Sequence, residues 1–173
     1  MSIVPDTKDW TWVLEKPCPE CGFDASTVVS EDLSGLIHEN TTAWFSALDD
    51  PEAGVRPSPE VWSPLEYACH VRDVHLVFGE RVRRMLEEDN PQFPNWDQDV
   101  TAIEERYAEQ DPAQVSNELV EMAGEVAMRY AGVHGRQWER PGRRSNGSVF
   151  TVASIGRYHL HDVVHHLNDI GQA

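Results

Sequence analysis

Arg157-Tyr158-His159-Leu160-His161-Asp162-Val163-Val164-His165-His166-Leu167-Asn168-Asp169-Ile170 carries four of the eight histidines of the chain. Read as a helix at about 100° per residue, it sets His161 and His165 roughly 40° apart, projecting from adjacent turns of one face. That spacing suits two ligands on one metal ion. His159 and His166 share a different face, turned well away from the first pair, so one cation does not readily recruit all four. The flanking Ile155, Tyr158 and Val164 favour His161 and His165 as the pair pointing inward between helices. The rest of the chain reads as a scaffold that presents them.

Two histidines are too few for a stable site, and the helix beginning at Trp62 is the best donor of a third. Its start signals are dense. Ser63 suits the cap, Pro64 the first helical position and Glu66 the third position of a capping box, while Trp62 and Tyr67 suit a hydrophobic staple. Two turns in lies His70, within Tyr67-Ala68-Cys69-His70-Val71-Arg72-Asp73-Val74-His75. Taken alone, His70 reads as a hydrogen-bonded core histidine; beside the HxxxH pair it reads as the third ligand. Three imidazoles from two facing helices suit zinc, nickel, iron or manganese, with positions left open for water or substrate.

Trp62-Ser63-Pro64-Leu65-Glu66 running to His70, followed far downstream by His161-Asp162-Val163-Val164-His165-His166, resembles the DinB/YfiT-like family, including its mycothiol-dependent maleylpyruvate isomerase branch. The likeness spans residues 25–172. It implies an all-α four-helix bundle holding a divalent metal, with one histidine from the second helix and an HxxxH pair from the last. Carried onto this sequence, those ligands are His70, His161 and His165.

A chain of 173 residues suffices for one domain with a substantial core. We divide it into an N-terminal arm, residues 1–24, and a bundle, residues 25–173. Thirty acidic against 14 basic residues give a formal charge of −16, which repels a phosphate backbone and an anionic membrane surface. Nucleic acid and membrane are therefore not expected partners, whereas a small-molecule substrate is, and a bundle face leaves room for a homodimer. No run approaches the roughly twenty apolar residues that span a bilayer, and Met1-Ser2-Ile3-Val4-Pro5-Asp6 lacks the pattern of a signal peptide. A soluble cytoplasmic protein is expected.

The arm carries Trp10, Trp12, Val13 and Leu14 and then Lys16-Pro17-Cys18-Pro19-Glu20-Cys21-Gly22, a turn-rich segment expected to lie over the bundle. Cys18 and Cys21 look like half of a zinc ribbon. The third cysteine, Cys69, falls inside the second helix, so the pair stays open to three readings: a turn with free thiols, a redox pair, or a second metal site. The first bundle helix is expected from about Asp24 or Ser30 to Leu48, on the stripe Val29, Leu33, Leu36, Ile37, Trp44, Phe45 and Leu48. His38, on that helix, reads as a solvated or hydrogen-bonded residue. Asp49-Asp50-Pro51 ends the helix and opens a crossover loop to Val61.

The second helix should run from Pro64 to about Glu88. His75, about 140° round it from His70, reads as a surface residue or one behind the ligands. The loop Gln92–Asp99 anchors itself through aromatics, and Trp96 and Asp97 are candidates for lining a pocket. A short helix at 100–109 is followed by Asp111, Pro112 and Gln114, start signals for the third bundle helix. Between Trp138 and Phe150 comes a turn-rich insert whose Arg140, Arg143 and Arg144, with Arg136 just before it, form a basic cluster, either a solvated loop or a cluster that steers an anionic molecule. Thr151 caps the last helix.

Three neutral imidazoles leave a bound metal a net dication that acidifies a water or thiol on it. Asp162, Asp169 and Glu66 are candidate acceptors behind the ligands. The resemblance implies a thiol-dependent transferase or isomerase using mycothiol or another low-molecular-weight thiol on a small electrophile. One alternative is metal-assisted hydrolysis by a bound hydroxide; another is a non-catalytic metal-binding or stress-responsive interaction protein.

Overall fold

The computed structural model describes residue 3 and residues 9–172; the rest of the segment before residue 9, including most of the stretch read for a signal peptide, lies outside them. Four long helices carry the fold: α1 Leu33–Leu48, α2 Pro64–Glu87, α4 Pro112–Ala131 and α5 Val152–Asp169, with a short α3 at Gln98–Glu104. The local chemistry expected at their starts is present. Ser63 accepts from the Glu66 amide while the Glu66 carboxylate accepts from the Ser63 amide, Asp111 accepts from the Gln114 amide, and Thr151 and Ser154 form a reciprocal box at α5. Trp62 and Tyr67 meet edge to face with centroids 5.5 Å apart, completing the staple at α2.

The principal packing pairs α2 with α4 and α5, and α1 with the same two helices, so α1 and α2 face each other across the bundle. This arrangement explains the long 49–63 connection, because consecutive helices need a crossover when they are not neighbours. Leu33, Ile37 and Trp44 from α1 meet Val74, Phe78 and Val82 from α2, Leu119 and Val126 from α4, and Ile155 and Val163 from α5 in one buried core. Gly156 sets how close α5 approaches, since a Cβ there would sit 2.5 Å from Leu33 Cδ1 and 3.2 Å from the Tyr130 ring.

Three expectations need adjustment. The first helix starts at Leu33, after 3-10 turns at Ala25–Thr27 and Ser30–Asp32, and Val29 and Phe45 are exposed rather than part of the core stripe. The 100–109 segment is α3 followed by a 3-10 turn at Tyr107–Glu109. The turn-rich insert forms a hairpin, β2 Pro141–Arg144 and β3 Val149–Thr151, and β1 Gln92–Phe93 adds to it in parallel. Strands this short leave little periodicity to read. Among the described residues, no helix is long and apolar enough to cross a membrane.

Candidate metal centre

The arm packs directly on α5. Val13 and Cys18 are buried in the main core, and the Trp10 ring lies 5.5 Å from that of His161 and 4.9 Å from that of His165. Helix α5 is therefore covered on two sides, by the bundle and by the arm. Buried positions follow one another without a gap from Tyr158 to His161.

This double burial sorts the histidines. His159 points into the bundle, where its Nε2 lies 3.0 Å from His75 Nδ1 and its Nδ1 3.1 Å from the Tyr130 hydroxyl. Both imidazoles are buried, and burial pushes His159 well below its usual range and His75 down to about 4. His75 is thus a core residue rather than a surface one, and His159 faces the interior. Helix α5 therefore has two different inward faces, one carrying His159 and the other carrying the expected pair, His161 and His165.

Potential ligand atoms within 4.8 Å of one another form two groups among the described residues. The first is His70, Asp162 and His166. Asp162 Oδ1 lies between the two imidazoles, 3.4 Å from His70 Nε2 and 3.5 Å from His166 Nε2. On the far side of His166, Nδ1 meets Asp169 Oδ2 at 2.8 Å, which fixes the ring with Nε2 turned toward the group. His70 has no exposed surface, yet neither ring nitrogen has a hydrogen-bond partner among the described residues, and Asp162 Oδ1 has none either. Leaving such atoms unpaired costs about 1–3 kcal/mol each, and a cation bound by one His70 nitrogen and Asp162 Oδ1 would remove the cost of those two atoms. Burial pushes the Asp162 carboxyl up, but His70 and His166 outweigh it and hold the group well below the usual carboxylate range. Burial pushes His70 down, leaving the neutral imidazole that coordination requires. The donor set, two imidazoles and a carboxylate, fits a divalent transition metal.

The second group is Cys18, Cys21, His161 and His165. The three histidines brought together by the sequence are therefore divided, with His70 in one group and His161 and His165 in the other. The reason is phase: Asp162 and His166 are also four apart, and it is this pair that α5 turns toward α2. The cysteines sit in a tight turn in which the Gly22 amide donates to the Cys18 carbonyl at 2.8 Å and Gly22 takes a positive φ of 75°. Both are free thiols, and burial pushes Cys21 up to about 11.

Between the arm and the helices lies a cavity of about 230 Å³ lined by members of both groups, His161, Asp162, His165 and His166, and by Trp10, Glu20, Trp62, Tyr67 and Asp99. Burial pushes the Tyr67 hydroxyl up to about 12, so it remains a hydrogen-bond donor on this wall. Gln98 and Asp99 line the cavity, rather than the expected Trp96 and Asp97. Trp96 instead stacks on His70, with centroids 5.4 Å apart and planes at 1°, while the Asp97 carboxylate accepts from the Asp99 and Val100 amides to cap α3. Glu66 is engaged by its capping box and by Arg56 Nε at 2.8 Å.

A sequence profile of the DinB superfamily matches residues 36–170, the span that holds all four long helices and the His70 group, apart from the first turn of α1. The chain belongs to the DinB superfamily. Among solved structures, the fold is similar to YfiT from Bacillus subtilis, described as a probable metal-dependent hydrolase with an unusual four-helix bundle topology. The TM-score is 0.72 at 16% identity, covering 83% of this chain and 85% of that one. No curated protein matches this sequence. The DinB match begins after the arm, so Cys18 and Cys21 lie outside the matched span and only the tertiary structure brings them to α5.

Proposed function

We propose that this DinB protein is a divalent-metal-dependent enzyme, with His70, Asp162 and His166 as the residues that hold the metal, and that it hydrolyses a small uncharged or cationic substrate. The observation that carries this reading is His70, fully buried, with neither ring nitrogen hydrogen-bonded among the described residues and with a carboxylate and a second imidazole gathered beside it. A divalent metal held there would polarise a substrate oxygen and acidify water. The protein's own groups supply the rest. Asp169 keeps the His166 ring in orientation, and Tyr67 offers a neutral hydroxyl donor to a substrate carbonyl. Glu20 and Asp99 stand on the cavity wall, where a carboxylate can take the proton of an attacking water. Trp10 and Trp62 present apolar walls that hold the substrate and limit bulk water.

The character of the cavity favours hydrolysis over the thiol-dependent reading. That reading draws on an anionic substrate steered by the basic insert, yet no arginine or lysine occurs among the described residues lining the cavity, which include Glu20, Glu60, Asp99, Asp162 and Asp169. Arg140 is spent on the Met85 and Glu88 carbonyls, and Arg144 lies over the Phe150 and Tyr158 rings. The likeness to YfiT, described as a probable hydrolase, supports the same choice. The test is to load the protein with zinc, nickel, iron or manganese and follow neutral esters and amides with no thiol, with mycothiol and with another thiol. Turnover that needs no thiol and is abolished in His70→Ala is expected. Turnover of an electrophile only when thiol is present would replace hydrolysis with the transferase or isomerase reading.

A further inference from the structure

The His70 group does not use the second cluster on α5, whose four donors come from two distant parts of the chain. We propose that Cys18, Cys21, His161 and His165 form a second, structural zinc site that clamps the N-terminal arm to α5. Four donor atoms lie within 4.8 Å of one another, and Cys18 Sγ is 3.8 Å from His165 Nδ1. A tetrahedral zinc ion with two sulfur and two nitrogen ligands has donor–donor edges of about 3.3–3.8 Å, so modest contraction closes the site. His161 is 3% exposed, lines the site with its Nε2 unpartnered among the described residues, and is flanked by the Trp10 and Phe23 rings. His165 turns Nδ1 toward Cys18 and Nε2 toward carboxylates, Glu20 Oε2 at 3.6 Å and Asp169 Oδ1 at 3.7 Å, the arrangement that orients a ligating imidazole.

Four protein donors leave no open position, which marks a structural rather than a catalytic centre. The balance of binding is simple: Zn²⁺ enters, two S–Zn and two N–Zn bonds form, and two thiol protons leave to solvent. No oxidant is required. The consequence reaches the cavity, because Glu20 lies between the two cysteines and Trp10 lies just before them, and both line it. Asp169 links the two centres, with one oxygen toward His165 and the other toward His166.

Purified protein loaded with zinc and freed of excess should hold two equivalents per chain. Its cobalt-substituted form should show sulfur-to-cobalt charge-transfer absorption together with the intense visible bands of a tetrahedral site. The double variant Cys18→Ser/Cys21→Ser should lose one equivalent and the charge-transfer band while retaining the equivalent that His70→Ala removes; His70→Ala should keep the band. Chelation of the wild-type protein should open the arm before Cys18 to limited proteolysis. The wild-type cobalt spectrum needs no variant, so a misfolded mutant does not shield the proposal. Absence of the charge-transfer band, or a Cys18–Cys21 disulfide in protein prepared under reducing conditions, overturns the site. An arm equally protected with and without chelator overturns its clamping role. Metal lost only in His70→Ala refutes this site alone, whereas metal lost only in the cysteine variant refutes the His70 centre and leaves this one standing.

Discussion

His70 and His75 lie on the same helix, both buried, and they differ in what surrounds them. His75 ends a polar chain through His159 to Tyr130, each link about the length of an ordinary hydrogen bond at 3.0 and 3.1 Å. His70 stacks on Trp96 and faces Asp162 and His166, yet neither of its nitrogens has a hydrogen-bond partner among the described residues. Burial alone therefore does not separate a structural histidine from a ligand. Nor does an unpartnered nitrogen alone, since His75 Nε2 also has no hydrogen-bond partner among the described residues. The separation comes from neighbours, because His70 stands in a group of potential ligand atoms with Asp162 and His166, whereas His75 belongs to no such group among the described residues.

The sharpest way to break this contrast is to remove each ring. His70→Ala should eliminate the metal of its centre and lower turnover by about 1000-fold or more, the several kcal/mol that a bound cation supplies. His75→Ala should leave both metal equivalents in place while destabilising the fold by about 2–3 kcal/mol, from a cavity and an unpaired His159 nitrogen, as read from denaturant midpoints. Loss of metal in His75→Ala would dissolve the distinction.

Acid titration tests the same pair differently. His75 has a folded pKa of about 4 against an ordinary value of 6.5, so between those pH values the unfolded chain binds the extra proton. Its contribution is fully present above pH 6.5 and is lost as the pH falls toward 4, amounting to about 3 kcal/mol at most. His75→Gln should flatten that part of the stability profile; an unchanged slope would mean that His75 is not held neutral by the core.

Smaller effects sharpen the picture. Asp169→Asn should weaken metal binding at the His70 centre about 10–100-fold, because His166 loses the carboxylate that orients it, and competition with a chromophoric chelator would measure this. Tyr130→Phe should cost about 1 kcal/mol by thermal unfolding and leave metal content untouched, since it removes only the last link of the His75 chain.

Much of the scaffold was legible in local chemistry. Ser63 with Glu66, Asp111 with Gln114 and Thr151 mark helix starts that the structure keeps, because caps act over three or four residues and need no tertiary partner. The apolar stripes of α2 and α4 were readable for the same reason. The three-stranded sheet was not, because its pairing of Gln92–Phe93 with Pro141–Arg144 depends on contacts distant in sequence. Cys18 and Cys21 could be singled out by their spacing and turn, but nothing near them names a partner.

By itself, then, the sequence determined four amphipathic helices, an arm with two cysteines, and a last helix dense in histidine, since periodicity and capping are local properties. Which histidine belongs to which group of potential ligands was decided by tertiary structure. Helical phase says which residues share a face, and His161 with His165 do share one, as do Asp162 with His166. It does not say what covers each face. The bundle lies on one side of α5 and the arm on the other, so the first pair meets Cys18 and Cys21 while the second meets His70. The chemistry of each pair follows from that docking.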